Sequence, residues 1–350
     1  MSESKKLRVS VVGATGYTGA ELLRILVHHP FVELSLVTSR ADAGKPIADS
    51  WPNFRDVNLC YSAPDVTQIA EQSDVVFFAT PHTVAMAMVP ALVDAGCTVI
   101  DLSADFRLKD IDEWERWYGE THTAPELADQ AVYGLPELNR EAMVGARLIA
   151  CPGCYPTAIQ LGLIPLLESG LIHSDSIIAN AASGVSGAGR QAKVANLFAE
   201  MSDSFKAYGV SGHRHLPEIL ESLNRVSASP VQMTFVPHLL PIIRGIHATL
   251  YCKPRGAVDS EDWQAIFEQR YCDEPFVDVL PQGVYPETRS VKGTNMCRIS
   301  VQPIASSEML CVMSVEDNLT KGAAGQGVQA MNIAFGLPEA AGLKQLALLP

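Results

Sequence analysis

The stretch LRVSVVGATGYTGAELLRIL, residues 7–26, joins a compact apolar run, a glycine-rich turn and an amphipathic segment. Leu7 to Val12 reads as a buried strand that stops at Gly13. Ala20 to His28 has helical spacing, with Leu22, Leu23, Leu26 and Val27 on one face. Between them Gly13, Gly16 and Gly19 follow G-x-x-G-x-x-G, a variant of the spacing that lets a backbone turn tightly and approach a pyrophosphate at a helix N-terminus. Glycines alone also suit an ordinary tight turn. The strand before and the helix after favour a dinucleotide site formed by Gly13, Thr15, Gly16, Tyr17, Thr18 and Gly19. The next strand candidate, Val32 to Thr38, runs into Ser39 and Arg40, with no acid until Asp42. An acid there would grip a ribose hydroxyl, whereas Arg40 beside Ser39 can pair with a 2′-phosphate, so NADP is the expected cofactor.

Further along, Asp74 to Ala79 and Thr98 to Leu102 are strand-like, with a helical segment at Val84 to Asp94 between them. Strands alternating with helices predict a Rossmann-type, doubly wound parallel sheet, and runs as apolar as VVFFA suit a sheet covered on both faces. After residue 150 the pattern changes. Ser176–Ala181, Met233–Pro237, Ile246–Tyr251, Met296–Val301 and Met309–Val315 are strand-like with fewer helices between them, which predicts an α+β domain with a mixed or antiparallel sheet. A last helical segment spans Gln326 to Phe335. The expected division is a cofactor domain at 1–150, completed by 318–350, and a catalytic and oligomerisation domain at 151–317.

A second constellation lies at that boundary. A strand-like stretch, Arg147 to Ala150, leads into Cys151-Pro152-Gly153-Cys154-Tyr155-Pro156-Thr157, and a helix is expected to follow with Ile159, Leu163, Leu166 and Leu167 on one face. Cys154 at a helix start would lie at the positive end of the dipole, which favours a thiolate near neutral pH. A redox pair with Cys151, half of a zinc site, or a buried small apolar residue are the alternatives. No second C-x-x-C completes a zinc site, and a nicotinamide cofactor in the same chain favours a nucleophile. No metal is expected.

Polar clusters surround these motifs in the sequence. Ser183 to Arg190, SGVSGAGR, offers backbone and hydroxyl donors with Ser183, Gly184 and Arg190 as anion or cofactor contacts, or forms a surface loop. Gly212 to Glu218, GHRHLPE, brings His213, Arg214 and His215 together, and imidazole is the usual proton shuttle near pH 7. Arg107, in SADFR just past the strand at 98–102, is a candidate phosphate or carboxylate clamp at the carboxyl edge of the sheet. Asn318, after the last strand, could bond a nicotinamide amide or cap the last helix.

Bulk properties narrow the field. The 350 residues suit two domains, and 47% hydrophobic residues suit large cores. A formal net charge of −13 argues against nucleic acid, which needs a basic surface. Eight scattered cysteines do not resemble a secreted disulfide framework, the first residues lack the apolar core of a signal peptide, and no run is long enough for a membrane span. A cytoplasmic location is the expectation.

The motifs GATGYTGAELLRIL (13–26), SADFRL (103–108), YGLPE (133–137), PGCYPTA (152–158), SGVSGAGR (183–190), HRHLPEI (213–219) and DNLTKGAAGQ (317–326) run in order along nearly the whole chain. Together they resemble the N-acetyl-gamma-glutamyl-phosphate reductase family, NADPH enzymes of arginine biosynthesis with a fold shared with aspartate-semialdehyde dehydrogenases. The resemblance implies reductive dephosphorylation of a small acyl phosphate through a thioester on Cys154. It also implies His213 or His215 as acid/base, with His215 favoured, and cofactor contacts from the first glycine turn and Asn318. Arg107, Arg190 and Arg214 are the expected substrate contacts, and a homo-oligomer, dimer or tetramer, is implied. Thr83 departs from the glycine usual in the family after the Pro81-His82 pair.

Overall fold

The computed structural model describes residues 6–256 and 260–349. The chain forms two compact units. The first holds the described residues up to Pro152 together with Ala323–Lys344, and the second holds Gly153–Gly322 with the described residues from Gln345 on.

The first unit is built on seven parallel strands: β1 (Leu7–Val12), β2 (Val32–Thr38), β3 (Tyr61–Ser62), β4 (Val75–Phe78), β5 (Thr98–Asp101), β6 (Val132–Tyr133) and β7 (Leu148–Ala150). Their order is β3-β2-β1-β4-β5-β7-β6, so the chain reverses its direction of winding beside β1, where the first glycine turn lies. All four residues of β4 are fully buried, as a strand with helices on both faces must be. The first helix, Tyr17–Leu26, starts three residues before its apolar stripe, because its opening turn carries polar and small residues that show no periodicity. Helix Val84–Asp94 matches the span expected from its sequence. The two-residue strands β3 and β6 had no sequence signal, being too short to show alternation.

Helix Gly325–Ala334 belongs to this unit and packs on helices Tyr17–Leu26 and Pro136–Met143 and on β5. Every residue from Gly325 to Ile333 is buried. A Cβ on Gly327 would stand 3.4–3.5 Å from Phe77, Ile100 and Leu102, so the helix lies close on the sheet. Asn332 secures it: its Oδ1 lies 3.1 Å from His29 Nε2, and its Nδ2 donates to the carbonyls of Glu339 and Ala341.

The second unit holds a mixed sheet of β8 (Ile177–Gly184), β9 (Lys206–Ala207), β10 (Met233–Leu240), β11 (Ile246–Cys252), β12 (Val277–Val279), β13 (Cys297–Pro303) and β14 (Leu310–Glu316). The order is β12-β13-β14-β11-β8-β10-β9; β8–β10 and β12–β13 are parallel and the remaining pairs antiparallel. In β11, Ile246, Ala248, Leu250 and Cys252 are buried and the residues between them are half-buried, the alternation of a strand with one covered face. Helix Cys154–Glu168 packs on β11 and β14. The approach is close: a Cβ on Gly162 would fall 2.5 Å from Leu250 Cδ1.

Candidate active site

In the first glycine turn the three glycines have different physical roles. Gly13 has φ +89°, and a Cβ there would sit 2.6 Å from the Ala79 carbonyl oxygen. A Cβ on Gly19 would sit 2.5 Å from the Gly13 carbonyl oxygen, so the helix presses on its own turn. Gly16 is the N-cap, makes no side-chain cap bond, and a Cβ on it would meet nothing nearer than 3.9 Å. The closed turn therefore leaves a clear approach at the helix N-terminus beside Thr15, Tyr17 and Thr18, a cradle that fits a pyrophosphate. Ala14 N donates to the Thr38 carbonyl, tying the turn to the end of β2. There Ser39 is buried and accepts from Asp42 N, while Arg40 is exposed.

The SADFR loop braces the same edge of the sheet. Asp101, fully buried, accepts from Ser103 N at 2.8 Å and Ser103 Oγ at 2.9 Å. Burial, and then the Asp105 charge, push the Asp101 carboxyl up from the usual carboxylate range. Asp105 accepts from Thr83 N and Met86 N, capping helix Val84–Asp94 from outside the helix. Arg107 donates through Nε to the Cys151 carbonyl and through a terminal nitrogen to the Leu102 carbonyl, both at 2.8 Å. In this structure its guanidinium thus holds main chain at the ends of β5 and β7. Asp101 and Asp105 had not been singled out in the sequence, where a lone acid at a strand end or in a short loop has no pattern to mark it.

In the second unit Cys154 is the first residue of its helix, and its side chain is partly exposed. The N-cap, Gly153, is extended and offers no side chain to the helix N-terminus. Thr157 N and Oγ1 both donate to the Gly153 carbonyl, while Gly153 N donates to Glu218 Oε1 at 2.8 Å. Gly322 presses against the cysteine: a Cβ on it would fall 2.8 Å from Cys154 Cβ and from Glu316 Oε1.

An aromatic cluster follows. The Tyr208 hydroxyl donates to the Tyr155 hydroxyl, and Tyr155 to the His238 carbonyl, each at 3.0 Å. Burial raises both phenols, Tyr208 to about 12. His213 lies among Tyr155, Tyr208, Phe235 and His215, with ring centroids 4.8–5.8 Å away. Burial, and then Arg214, hold its imidazole down at about 4. His213 Nδ1 accepts from His215 N at 3.2 Å, which fits a neutral ring. His215 is the N-cap of helix Leu216–Asn224, its ring 6.0 Å from that of Tyr155.

Other expected residues are placed as follows. Asn318 is buried; its Oδ1 accepts from Gly245 N at 2.8 Å and its Nδ2 donates to Ser186 Oγ at 3.0 Å, so the amide ties together three loops of the second unit. Ser183 is buried at the end of β8 and donates to the Gly184 carbonyl. Arg190 and Arg214 are exposed. Glu218, Tyr208 and Gly322 had not been assigned roles from sequence, although Glu218 and Gly322 fall inside quoted motifs. An acid at the third position of a helix was the available signal for Glu218. Among the described residues no group of three or more His, Cys, Asp or Glu could hold a metal, and no helix is long and apolar enough to cross a membrane.

Comparison with known proteins follows the same division. Residues 8–146 match the semialdehyde dehydrogenase NAD binding domain, and residues 154–318 match the semialdehyde dehydrogenase dimerisation domain. Among solved structures, aspartate semialdehyde dehydrogenase II from Vibrio cholerae superposes with a TM-score of 0.70 at 18% identity, covering 94% of this chain and 98% of that one. Aspartate semialdehyde dehydrogenase with NADP from Candida albicans gives 0.71 at 19% identity over the same shares. Nearer in sequence, the N-acetyl-gamma-glutamyl-phosphate reductase of Cellvibrio japonicus is 60% identical over 348 residues, 98% of this chain and 100% of the relative. That of Pseudomonas aeruginosa is 59% identical over 346 residues, again 98% and 100%. This chain is a member of the N-acetyl-gamma-glutamyl-phosphate reductase family, within the semialdehyde dehydrogenase fold.

Proposed function

We propose that the chain reduces N-acetyl-γ-glutamyl phosphate to N-acetylglutamate 5-semialdehyde with release of inorganic phosphate, the step its relatives' name describes in arginine biosynthesis. The observation that carries the reading is Cys154 opening a 15-residue helix, in the unit that also holds His215 at the N-cap of a second helix. The Cys154 thiolate attacks the γ-carbonyl, the C–O bond to phosphate breaks, and a thioester forms. A thioester stays electrophilic where a carboxylate would not. NADPH, when bound, supplies the hydride. The Cys154 thiohemiacetal then collapses to the aldehyde, regenerating the thiolate. His215 manages the protons, because His213 is held neutral by burial and its Nδ1 is engaged by His215 N.

For the cofactor, the cradle around Gly16 receives the pyrophosphate, and Gly13, Thr15, Tyr17, Thr18 and Gly19 complete it. Ser39 and the exposed Arg40 receive the 2′-phosphate, which favours NADP over NAD, and Ser183, Gly184 and Asn318 serve the nicotinamide end. Arg107, Arg190 and Arg214 are the substrate-anion candidates. Arg107 contributes first as a brace, since its donors hold the Leu102 and Cys151 carbonyls. Residues 1–150 with 318–350 act as the cofactor domain and 151–317 as the catalytic and oligomerisation domain. A homo-oligomer is supported by the dimerisation-domain match over 154–318, and a cytoplasmic location by the biosynthetic role.

The test runs the reaction backwards, following phosphate-dependent NADP reduction with N-acetylglutamate semialdehyde beside aspartate semialdehyde. Preference for the acetylated aldehyde, with Cys154→Ala lowering kcat by about a thousand-fold or more, supports the proposal. Preference for aspartate semialdehyde moves the substrate, and full activity in Cys154→Ala ends the thioester mechanism.

A further inference from the structure

The even positions of β14 face helix Cys154–Glu168: a Cβ on Gly162 would stand 3.5 Å from Val312 Cγ1 and 3.4 Å from Ser314 Cβ. Strand alternation carries Glu316 to the same face, beneath the start of that helix. The point that a Cβ on Gly322 would occupy is 2.8 Å from Cys154 Cβ and 2.8 Å from Glu316 Oε1, so twice that distance is the most that separates the two atoms. Glu316 is fully buried, and so is Lys321 on the turn that follows β14. The Lys321 ammonium lies 5.9 Å from the centre of the Phe276 ring. The Phe276 carbonyl in turn accepts from the N–H of Cys297, the residue opposite Glu316 in the β13–β14 ladder. A buried acid and a buried base thus gather beneath Cys154, and the thioester chemistry uses neither.

We propose that Glu316 and Lys321 are a buried charge pair that sets the pH at which Cys154 ionises, Glu316 opposing the thiolate and Lys321 favouring it. A carboxylate so fully out of water keeps its charge only where a cation balances it. The helix start alone favours the thiolate, and a thiolate made too acidic is a weaker nucleophile. Glu316 restores basicity to the sulfur, and both residues are positioning residues that act through Cys154. The other ionisable groups at this helix start are Tyr155, Tyr208, His215 and Glu218. Asp317 is engaged elsewhere, accepting from Leu319 N, Thr320 N and Gly293 N. His247 on β11 and Arg298 on β13 stand next to the register partners of Glu316 and so face away from it. Helix Ser260–Tyr271 brings Arg270 to Glu168, at the far end of the cysteine helix.

The part this plays in turnover rests on Cys154 being the nucleophile, but the test reads the thiol directly. Alkylation of Cys154 by iodoacetamide is followed across pH in the full chain, on the peptide that carries it, by mass spectrometry. Glu316→Gln keeps the shape and removes the charge, so the midpoint should fall by about one pH unit or more. The plateau rate should fall with it, about three-fold per unit, as nucleophilicity follows basicity. Adding Lys321→Met to Glu316→Gln removes both charges and should bring the midpoint back to within about half a unit of the wild type. Val312→Ala opens a cavity on the same face of β14; it should lower Tm and leave the midpoint in place. If Glu316→Gln does not fold, Lys321→Met alone takes its place, and the midpoint should rise by about half a unit or more. An unmoved midpoint in Glu316→Gln, no return in the double variant, or an equal shift in Val312→Ala would overturn the proposal. Failure of the thioester mechanism has a different signature: Cys154→Ala keeps turning over, whatever the alkylation midpoints show.

Discussion

Thr83 has φ +76° at the entry to helix Val84–Asp94, a left-handed conformation that is expensive for a β-branched residue. What holds it there is main chain: Thr83 N donates to Asp105 Oδ1 at 2.8 Å. Thr83→Gly keeps that bond and removes the strain, so the variant should be more stable by about 1 kcal/mol in thermal or urea unfolding. A loss of stability would mean that the threonine side chain makes a contact worth more than the strain. His213 gives a pH prediction whose sign follows from its buried, neutral state. Its folded value is about 4 against an ordinary 6.5, so the unfolded chain takes up the proton first. Its contribution to stability is complete above pH 6.5 and is lost as pH falls from there towards 4. At 1.36 kcal/mol per pH unit, the loss is at most about 3 kcal/mol. Comparing Tm between pH 7 and 4.5 for the wild type and His213→Gln checks it: the wild type should lose more. Equal slopes would place the histidine in water. At this scale the sequence drew attention to Cys154, His213 and His215, because cysteine and histidine announce their chemistry by type. It was silent on Asp105 and Glu218, whose roles depend on whose N–H groups they meet across 22 and 65 positions of chain.

Elements were legible in proportion to their length. The strands of four residues or more appear within a few residues of where apolar runs or alternation placed them, as β2 and β11 do. The two-residue strands β3, β6 and β9 are strands only because a longer partner offers them a ladder. The start of the cysteine helix depends on a neighbour in the same way. The turn Thr320–Ala324 is a π-helical segment, and it brings Gly322 against Cys154 with no room for a methyl group. Gly322→Ala should therefore push on the Cys154 backbone, lowering kcat at least about ten-fold and destabilising the second unit by about 1–3 kcal/mol. NADPH affinity, measured by fluorescence titration, should change little. A variant with normal kcat would show that the turn gives way without moving the cysteine.

At the scale of the whole molecule the chain returns to its first unit after building its second. Helix Gly325–Ala334 supplies Val328, Ala330, Met331 and Ile333 to the first core, and Arg140 pairs with Glu339 just beyond it. A chain ending at Gly322 should leave the β4–β5 face of the first sheet uncovered. It should lose NADPH binding and cooperative unfolding of that unit, read by cofactor fluorescence and circular dichroism; retention of both would make the helix an accessory. The sequence by itself determined the class of fold, the parallel sheet with its glycine turn, the mixed sheet that follows, and the family. These are written in local features: periodicity, glycine spacing and side-chain type, each legible within about twenty residues. Only the tertiary structure decided that His213 sits among aromatic rings where burial holds it neutral. It alone also decided what Arg107 and Asn318 hold, and which distant carboxylate caps the helix of Cys154. Those outcomes depend on burial and on hydrogen bonds between segments far apart in the chain, and a pattern along one chain does not encode its own contacts.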